Sequence, residues 1–258
     1  MKKILMLTAV CAVCVCSANA NAGEDMSGET ALKWTLGGAA IYGDANAIGI
    51  DHTKWLGWPI VNAEYGNWNI GTSEGVSYKF INNDNWVLKA GVSYDGGRRS
   101  SWLAKSRKGL GEIDEGAMAE VSAKYMFLDG AHVGLAASQS SADGDGVLVT
   151  GSFGYKTDIA ENMKLGFGVE TVWAEDGYME EYFGIDATQA AATGLAAFSA
   201  DAGLKHTSVA VNFNYSFAEN WDLGVVGGAN FLLEDARDSD VAQHEVLPYA
   251  KTSLTYKF

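Results

Sequence analysis

The chain has 258 residues, and its 32 acidic side chains against 18 basic ones give a net charge of −14. With no cluster of Lys or Arg to neutralise phosphates, this balance excludes a nucleic-acid binder. No segment beyond residue 22 approaches the ~18 consecutive apolar residues of a membrane-spanning helix, but a spanning strand needs only about 10 with one apolar face.

The first expected element is a leader. Lys2 and Lys3 precede the apolar run "ILMLTAVCAVCVC", and "SANANA" offers small-residue cleavage after Ala20 or Ala22. This is the pattern of a signal peptide over residues 1–22, removed on export. Cys11, Cys14 and Cys16 all lie in it, each preceded by a valine (Val10, Val13, Val15) rather than the small residue that lipoprotein processing needs. The remainder, 23–258, is thiol-free, so packing and backbone pairing alone must hold it. Loss of Lys2 and Lys3 leaves 16 cations against 32 anions, a net charge of −16. No linker divides the remainder, which reads as one domain.

From there the hydropathy alternates with a period of two. "LKWTLGGAAIY" sets Leu32, Trp34, Leu36, Ala40 and Tyr42 against Lys33, Thr35, Gly37 and Ala39. "NWVLKAGVSYD" sets Trp86, Leu88, Ala90, Val92 and Tyr94 against Lys89, Gly91, Ser93 and Asp95. "AMAEVSAKYMF", "NMKLGFGVETVW", "SVAVNFNYSF", "NWDLGVVGGANFLLE" and "YAKTSLTYKF" repeat the pattern. Half-apolar strands suit either a soluble sandwich with apolar faces inward or a membrane barrel with them outward. Two details favour the barrel. The apolar rows begin or end in aromatics, as at Trp221 and Phe231 or Tyr256 and Phe258, which suits the two bilayer interfaces. The polar rows are rich in Gly, Ser and Ala, which suits a crowded lumen.

The fold class expected is all-β, a transmembrane outer-membrane antiparallel barrel. Its strands are placed at 31–42, a down-and-up pair within 59–73 turning near 65–67, then 75–81, 85–95, 115–127, 131–141, 147–155, 162–174, 203–217, 220–234 and 245–258. That makes twelve; if 59–81 is one bulged strand the count is ten, and parity forbids eleven. Short turns at 82–84, 128–130, 156–161 and 218–219 alternate with longer segments at 43–58, 96–114, 175–202 and 235–244, as periplasmic turns alternate with outer loops. The C-terminal girdle, Tyr256 and Phe258, is placed at the periplasmic interface of a Gram-negative outer membrane.

Residues fit for chemistry are sparse. His52, His132, His206 and His244 are scattered without i, i+4 pairing, and "DGDG" (143–146) lacks the rest of a calcium loop. No nucleophile elbow, P-loop or dinucleotide fingerprint occurs, so no catalytic residue, cofactor or metal is expected. Lys89, Glu120, Lys124, Lys164, Glu170 and Lys251 fall on lumen rows, with Lys33, Lys79, Lys257 and Asp222. They either pair across the barrel or set ion selectivity.

The loops are the most specific part. "WPIVNAEYGN" is followed by "YDGGRR" (94–99), "GLGEI" (109–113), "YFGID" (182–186), "QAAATGLAAF" (189–198), "LLEDARDSD" (232–240) and a terminal Tyr-x-Phe. In this order the chain resembles the MipA/OmpV family, the MltA-interacting outer-membrane proteins. The matching positions are Gly97 and Arg98, Gly109, Leu110 and Gly111, Tyr182, Phe183 and Gly184, and Gly194 and Leu195. Ser239-Asp240 replaces the family's usual Ser-Pro. The resemblance implies a non-enzymatic barrel in the outer membrane, surrounded by its lipid and lipopolysaccharide. It also implies a scaffold that joins a periplasmic murein lytic transglycosylase to a peptidoglycan synthase. The alternative is a porin-like channel for small solutes. A hydrolase would need a clustered Ser, His and acid, which the four histidines do not suggest.

Overall fold

A computed structural model describes residues 31–43, 54–99, 103, 105–141 and 146–258. The leader over 1–22, His52 and most of the "DGDG" stretch lie outside them. Among the described residues twelve strands form one closed antiparallel barrel. They are β1 (Leu32–Gly43), β2 (Lys54–Tyr65), β3 (Trp68–Gly71), β4 (Gly75–Asn82), β5 (Trp86–Asp95), β6 (Gly116–Leu128), β7 (Ala131–Ser140), β8 (Val147–Ala160), β9 (Met163–Ala174), β10 (Gly203–Ala218), β11 (Trp221–Leu232) and β12 (Val246–Lys257). Each pairs with its sequence neighbour, and β1 closes on β12 from Thr35 with Lys257 to Gly43 with Tyr249. The Phe258 amide donates to the Trp34 carbonyl at 3.0 Å, carrying that seam to the last residue.

Closure satisfies the main-chain donors and acceptors that hydrocarbon cannot. The alternation then decides which face meets lipid. Val121 is 56% exposed and Leu135 60%, both pointing out, while the neighbouring Glu120 and Ser138 point in and face one another across β6 and β7. Aromatic rings ladder the outside near the strand ends. Trp86 meets Tyr125 at 4.7 Å between centroids, Trp68 meets Tyr78 at 4.9 Å, and Trp221 meets Tyr256 at 5.1 Å around the periplasmic rim. Tyr42 meets Trp55 at 4.9 Å at the outer one. Tyr256 and Phe258 stand edge to face at 4.6 Å at the end of the chain.

The expected count of twelve stands and the ten-strand alternative falls, because β2, β3 and β4 pair separately around tight turns. Two boundaries differ. β2 begins at Lys54 rather than 59, because Pro59 sits inside the strand where its missing N–H is tolerated. β8 runs to Ala160, so most of the 156–161 turn is strand, with Asp158 still paired to Lys164. The β6–β7 turn holds Gly130 at φ +80°, where a Cβ would meet the Lys156 backbone. Gly130→Ala should therefore cost about 1–2 kcal/mol from its left-handed backbone alone, read as a lower urea midpoint in vesicles.

Candidate functional site

The outer loops fold into a cap within one mouth of the barrel. It contains the 3-10 helix Lys105–Leu110 and three short helices: α1 (Asp176–Phe183), α2 (Ala187–Thr193) and α3 (Glu234–Asp238). α1 buries Tyr178, Met179, Tyr182 and Phe183, two pairs one turn apart on a single face. That face packs on Leu148, Val172 and Ala174, which point inward from β8 and β9. A second apolar cluster joins Leu103, Leu110, Ile185 and Val241, with Leu195 beside it and Phe198 bridging both.

Backbone chemistry fixes α2. The Asp186 carboxylate accepts from the Gln189 amide at 2.7 Å, and Gln189 Oε1 accepts from the Asp186 amide at 2.9 Å, a reciprocal cap. Gly194 ends the helix at φ +76°, its N–H donating to Ala190 O. Gly109 allows close approach, since a Cβ there would lie 2.7 Å from that of Ala192.

Arg98 is the fastener. The residue is 4% exposed, with Nη1 donating to Tyr182 O and Nη2 to Leu110 O, both at 3.1 Å. Its backbone pairs with Ile113 at 2.9 and 2.8 Å, and Gly97 makes the preceding turn at φ +57°. Burial lowers the Arg98 pKa, with the nearby Glu181 opposing it. Ser239 Oγ donates to Phe183 O at 2.5 Å, and Arg107 Nη2 donates to Asp240 O at 2.9 Å. Gln189 Nε2 adds a second donor to Leu110 O at 2.9 Å. The motif residues Gly97, Arg98, Gly109, Leu110, Gly111, Tyr182, Phe183, Gly184, Gly194 and Leu195 thus lie along two separate loops, β5–β6 and β9–β10, that converge on this cap.

Beneath the cap lies a polar layer in which the alternating pattern left several members unmarked. A bulge in β10 between Leu204 and His206 inserts Lys205 and turns it inward. Its Nζ donates to Tyr178 OH at 2.7 Å and lies 4.6 Å from that ring's centroid. Tyr178 stacks on Tyr182 at 4.3 Å, and burial raises both phenols above their ordinary pKa, so they stand neutral. Asp95, Ser208, Asn230 and Glu170 are also buried, with Ser208 Oγ and Asn230 Oδ1 2.5 Å apart. Among the described residues Asp95 Oδ2, Tyr182 OH and His206 Nε2 are buried without a hydrogen-bond partner, so this layer can hold water or a polar ligand.

The lumen charges named from sequence are partly brought together. Lys89 Nζ lies 3.4 Å from Glu74 and 3.9 Å from Glu120. Lys164 lies 3.7 Å from Asp158, and Lys257 lies 2.8 Å from Asp222. Lys124 and Lys251 share the inward rows of β6 and β12, while Glu170 sits on β9 below the cap. Among the described residues no three His, Cys, Asp or Glu side chains gather as metal ligands.

At the edge of the cap Glu115 accepts from Tyr94 OH and, at 2.9 Å, from Arg99. These bonds hold the Glu115 carboxyl below its ordinary value of 4.5. A depressed carboxylate contributes its stability above the unfolded pKa and loses it as pH falls through the folded one. The protection of amides 112–115, after the intrinsic pH dependence of exchange is divided out, should therefore fall below about pH 4.5 in wild type, and Glu115→Gln should remove that step.

A closed barrel, apolar outside, polar inside and capped at its outer mouth, is a transmembrane β-barrel of the outer-membrane class. This chain belongs to the family described as MltA-interacting protein MipA, whose profile matches residues 36–258. No curated protein sequence matches it. Among solved structures it is similar to the KdgM porin, at 11% identity and a TM-score of 0.49, covering 87% of this chain and 99% of that one. The outer membrane channel DcaP of Acinetobacter baumannii is 14% identical with a TM-score of 0.40, covering 88% and 96%. The NanC porin is 11% identical with a TM-score of 0.41, covering 88% and 100%.

Proposed function

We propose that this chain is a non-enzymatic scaffold of the outer membrane, exported by cleavage of residues 1–22. Its periplasmic rim would dock a murein lytic transglycosylase and, through it, a peptidoglycan synthase. The observation that carries this reading is the cap: a mouth filled by a packed apolar core suits a role that needs no axial pore. The family description, an MltA-interacting protein, points the same way.

The rim sets terms for any partner. Its turns are a few residues each, so a standard face of roughly 800 Å² must span several at once. Four of them carry a carboxylate, Asp84, Asp129, Glu161 and Glu219, so the partner face should be basic and the contact weaker at high salt. The detergent-purified barrel should retain a lytic transglycosylase at low ionic strength. Neutralising all four as Asp84→Asn, Asp129→Asn, Glu161→Gln and Glu219→Gln should abolish retention. No retention of the enzyme by wild type under gentle cross-linking would sink the reading.

A porin-like channel is the second reading, favoured by the Lys89, Glu74 and Glu120 group on the lumen wall. Planar-bilayer recording separates the two: the scaffold is silent, and a steady ion-selective conductance supports the channel.

A further inference from the structure

The barrel wall is not equally tall all round. The β3–β4 hairpin begins at the periplasmic girdle, where Trp68 pairs with Tyr78, and ends three residue pairs higher at Gly71 and Gly75. β2 continues past its last partner there, from Val61 up to Lys54, and β5 continues past Val92 to Asp95. Among the described residues these two strands are not paired with each other. At about 3.3 Å per residue and the usual tilt, the edge of β2 without a strand partner among the described residues spans roughly 15–20 Å of wall height. The opening therefore crosses the outer half of the apolar band, reaching the level of Trp55, which is 70% exposed.

Its edge is specialised. Thr72 Oγ1 donates to Pro59 O at 2.9 Å and accepts from the Val61 amide at 3.1 Å, stitching the hairpin tip to β2. The amide and carbonyl of one residue in an antiparallel strand point the same way, so the nitrogen of Pro59 also faces the opening and brings no donor there. β2 is also apolar on both sides. Trp55, Pro59 and Val61 face outward, while Leu56, Trp58 and Ile60 turn into the lumen, with Ile41 beside Leu56 on β1. On β12 the inward row reads Leu247, Tyr249, Lys251, Ser253, Thr255 and Lys257, and at the height of Leu56 to Ile60 it is the polar Lys251, Ser253 and Thr255. A water-filled lumen gives no reason for three large apolar side chains, and they stand where the wall is breached at hydrocarbon level.

We propose that this breach is a lateral port through which one acyl chain of an outer-leaflet lipid passes into the lumen and lies on Leu56, Trp58 and Ile60. The level of the opening identifies the occupant, because acyl chains are the medium outside it. The headgroup stays at the interface beside Trp55. The cap packs within the axial mouth, whereas this opening is lateral. The inference does not depend on the scaffold reading.

The test places the full barrel in phosphatidylcholine vesicles whose chains carry bromine, a short-range quencher of tryptophan. The Trp58 signal is the difference between wild type and Trp58→Phe, each checked for folding by its heat-dependent gel shift. A tryptophan introduced as Asn214→Trp, on the lumen row of β10 four strands from β2 and five from β5, is the control. Most of the Trp58 emission should be lost in brominated vesicles and little of that at 214. Equal quenching at both sites, or none at 58, overturns the proposal. A nitroxide on Ile60→Cys gives an independent reading that leaves the tryptophans intact. It should collide with dissolved oxygen in preference to an aqueous nickel chelate, and the reverse order also overturns the proposal.

Discussion

Arg98→Met should unfasten the cap while leaving the barrel closed. The side chain is buried and its two donors serve carbonyls of two different loops, at Leu110 and Tyr182. Methionine keeps much of the volume but offers no donor. Tyr182 O is left unpaired while Leu110 O keeps its second donor, Gln189 Nε2, so about 1–3 kcal/mol of cap stability is at stake. The barrel strands lose none of their pairing. Limited proteolysis should then cut within 175–202 in the variant and not in wild type, while the heat-dependent gel shift of the barrel persists. Arg98→Lys should fall between them, because one ammonium cannot reproduce the planar fork that reaches both carbonyls. An uncut Arg98→Met loop would mean that the two apolar clusters alone hold the cap.

The second large effect lies on the outer wall. Leu135 is at the middle of β7, 60% exposed, and faces lipid. Leu135→Arg should cost about 2–4 kcal/mol, the penalty for a cation at the bilayer midplane. Ser138→Arg on the same strand faces the lumen opposite Glu120, where a cation gains a partner. Urea titration in vesicles should show a large fall for the first and little change for the second. Were the apolar face a soluble core, the ranking would still favour 138, but both variants would unfold in water without lipid.

The wall was legible because its signal is local. Alternation places Val121 outward and Glu120 inward with no knowledge of the partner strand, and the aromatic ends mark both interfaces. The errors came where one residue type has two meanings. Pro59 reads as a strand boundary, yet it is the member of β2 whose nitrogen faces an unpaired edge, which only the short β3 reveals. The polar segment 156–161 reads as a turn, yet Lys156 and Asp158 lie on the lumen row and Thr157 and Ile159 on the lipid row, so alternation simply continues.

The cap was legible only as separate blocks. Resemblance marked Arg98, Leu110 and Tyr182, but the bonds joining them cross 12 and 84 residues of chain, and no local rule predicts such pairings. The β10 bulge is a further case. One inserted residue brings Lys205 inward out of phase with the pattern, so the contact with Tyr178 was not foreseeable from alternation. The lateral opening was hidden in the same way, since hairpin height depends on where pairing stops.

The most direct measurement is a nitroxide scan along β6 from Ala117 to Lys124, made easy by a chain whose cysteines all lie in its first 16 residues. In vesicles, labels at 117, 119, 121 and 123 should collide with oxygen from the lipid, and those at 118, 120, 122 and 124 with the aqueous nickel chelate. A scan without that two-residue period, or one with the rows exchanged, would show that the greasy rows do not face hydrocarbon and would end the account.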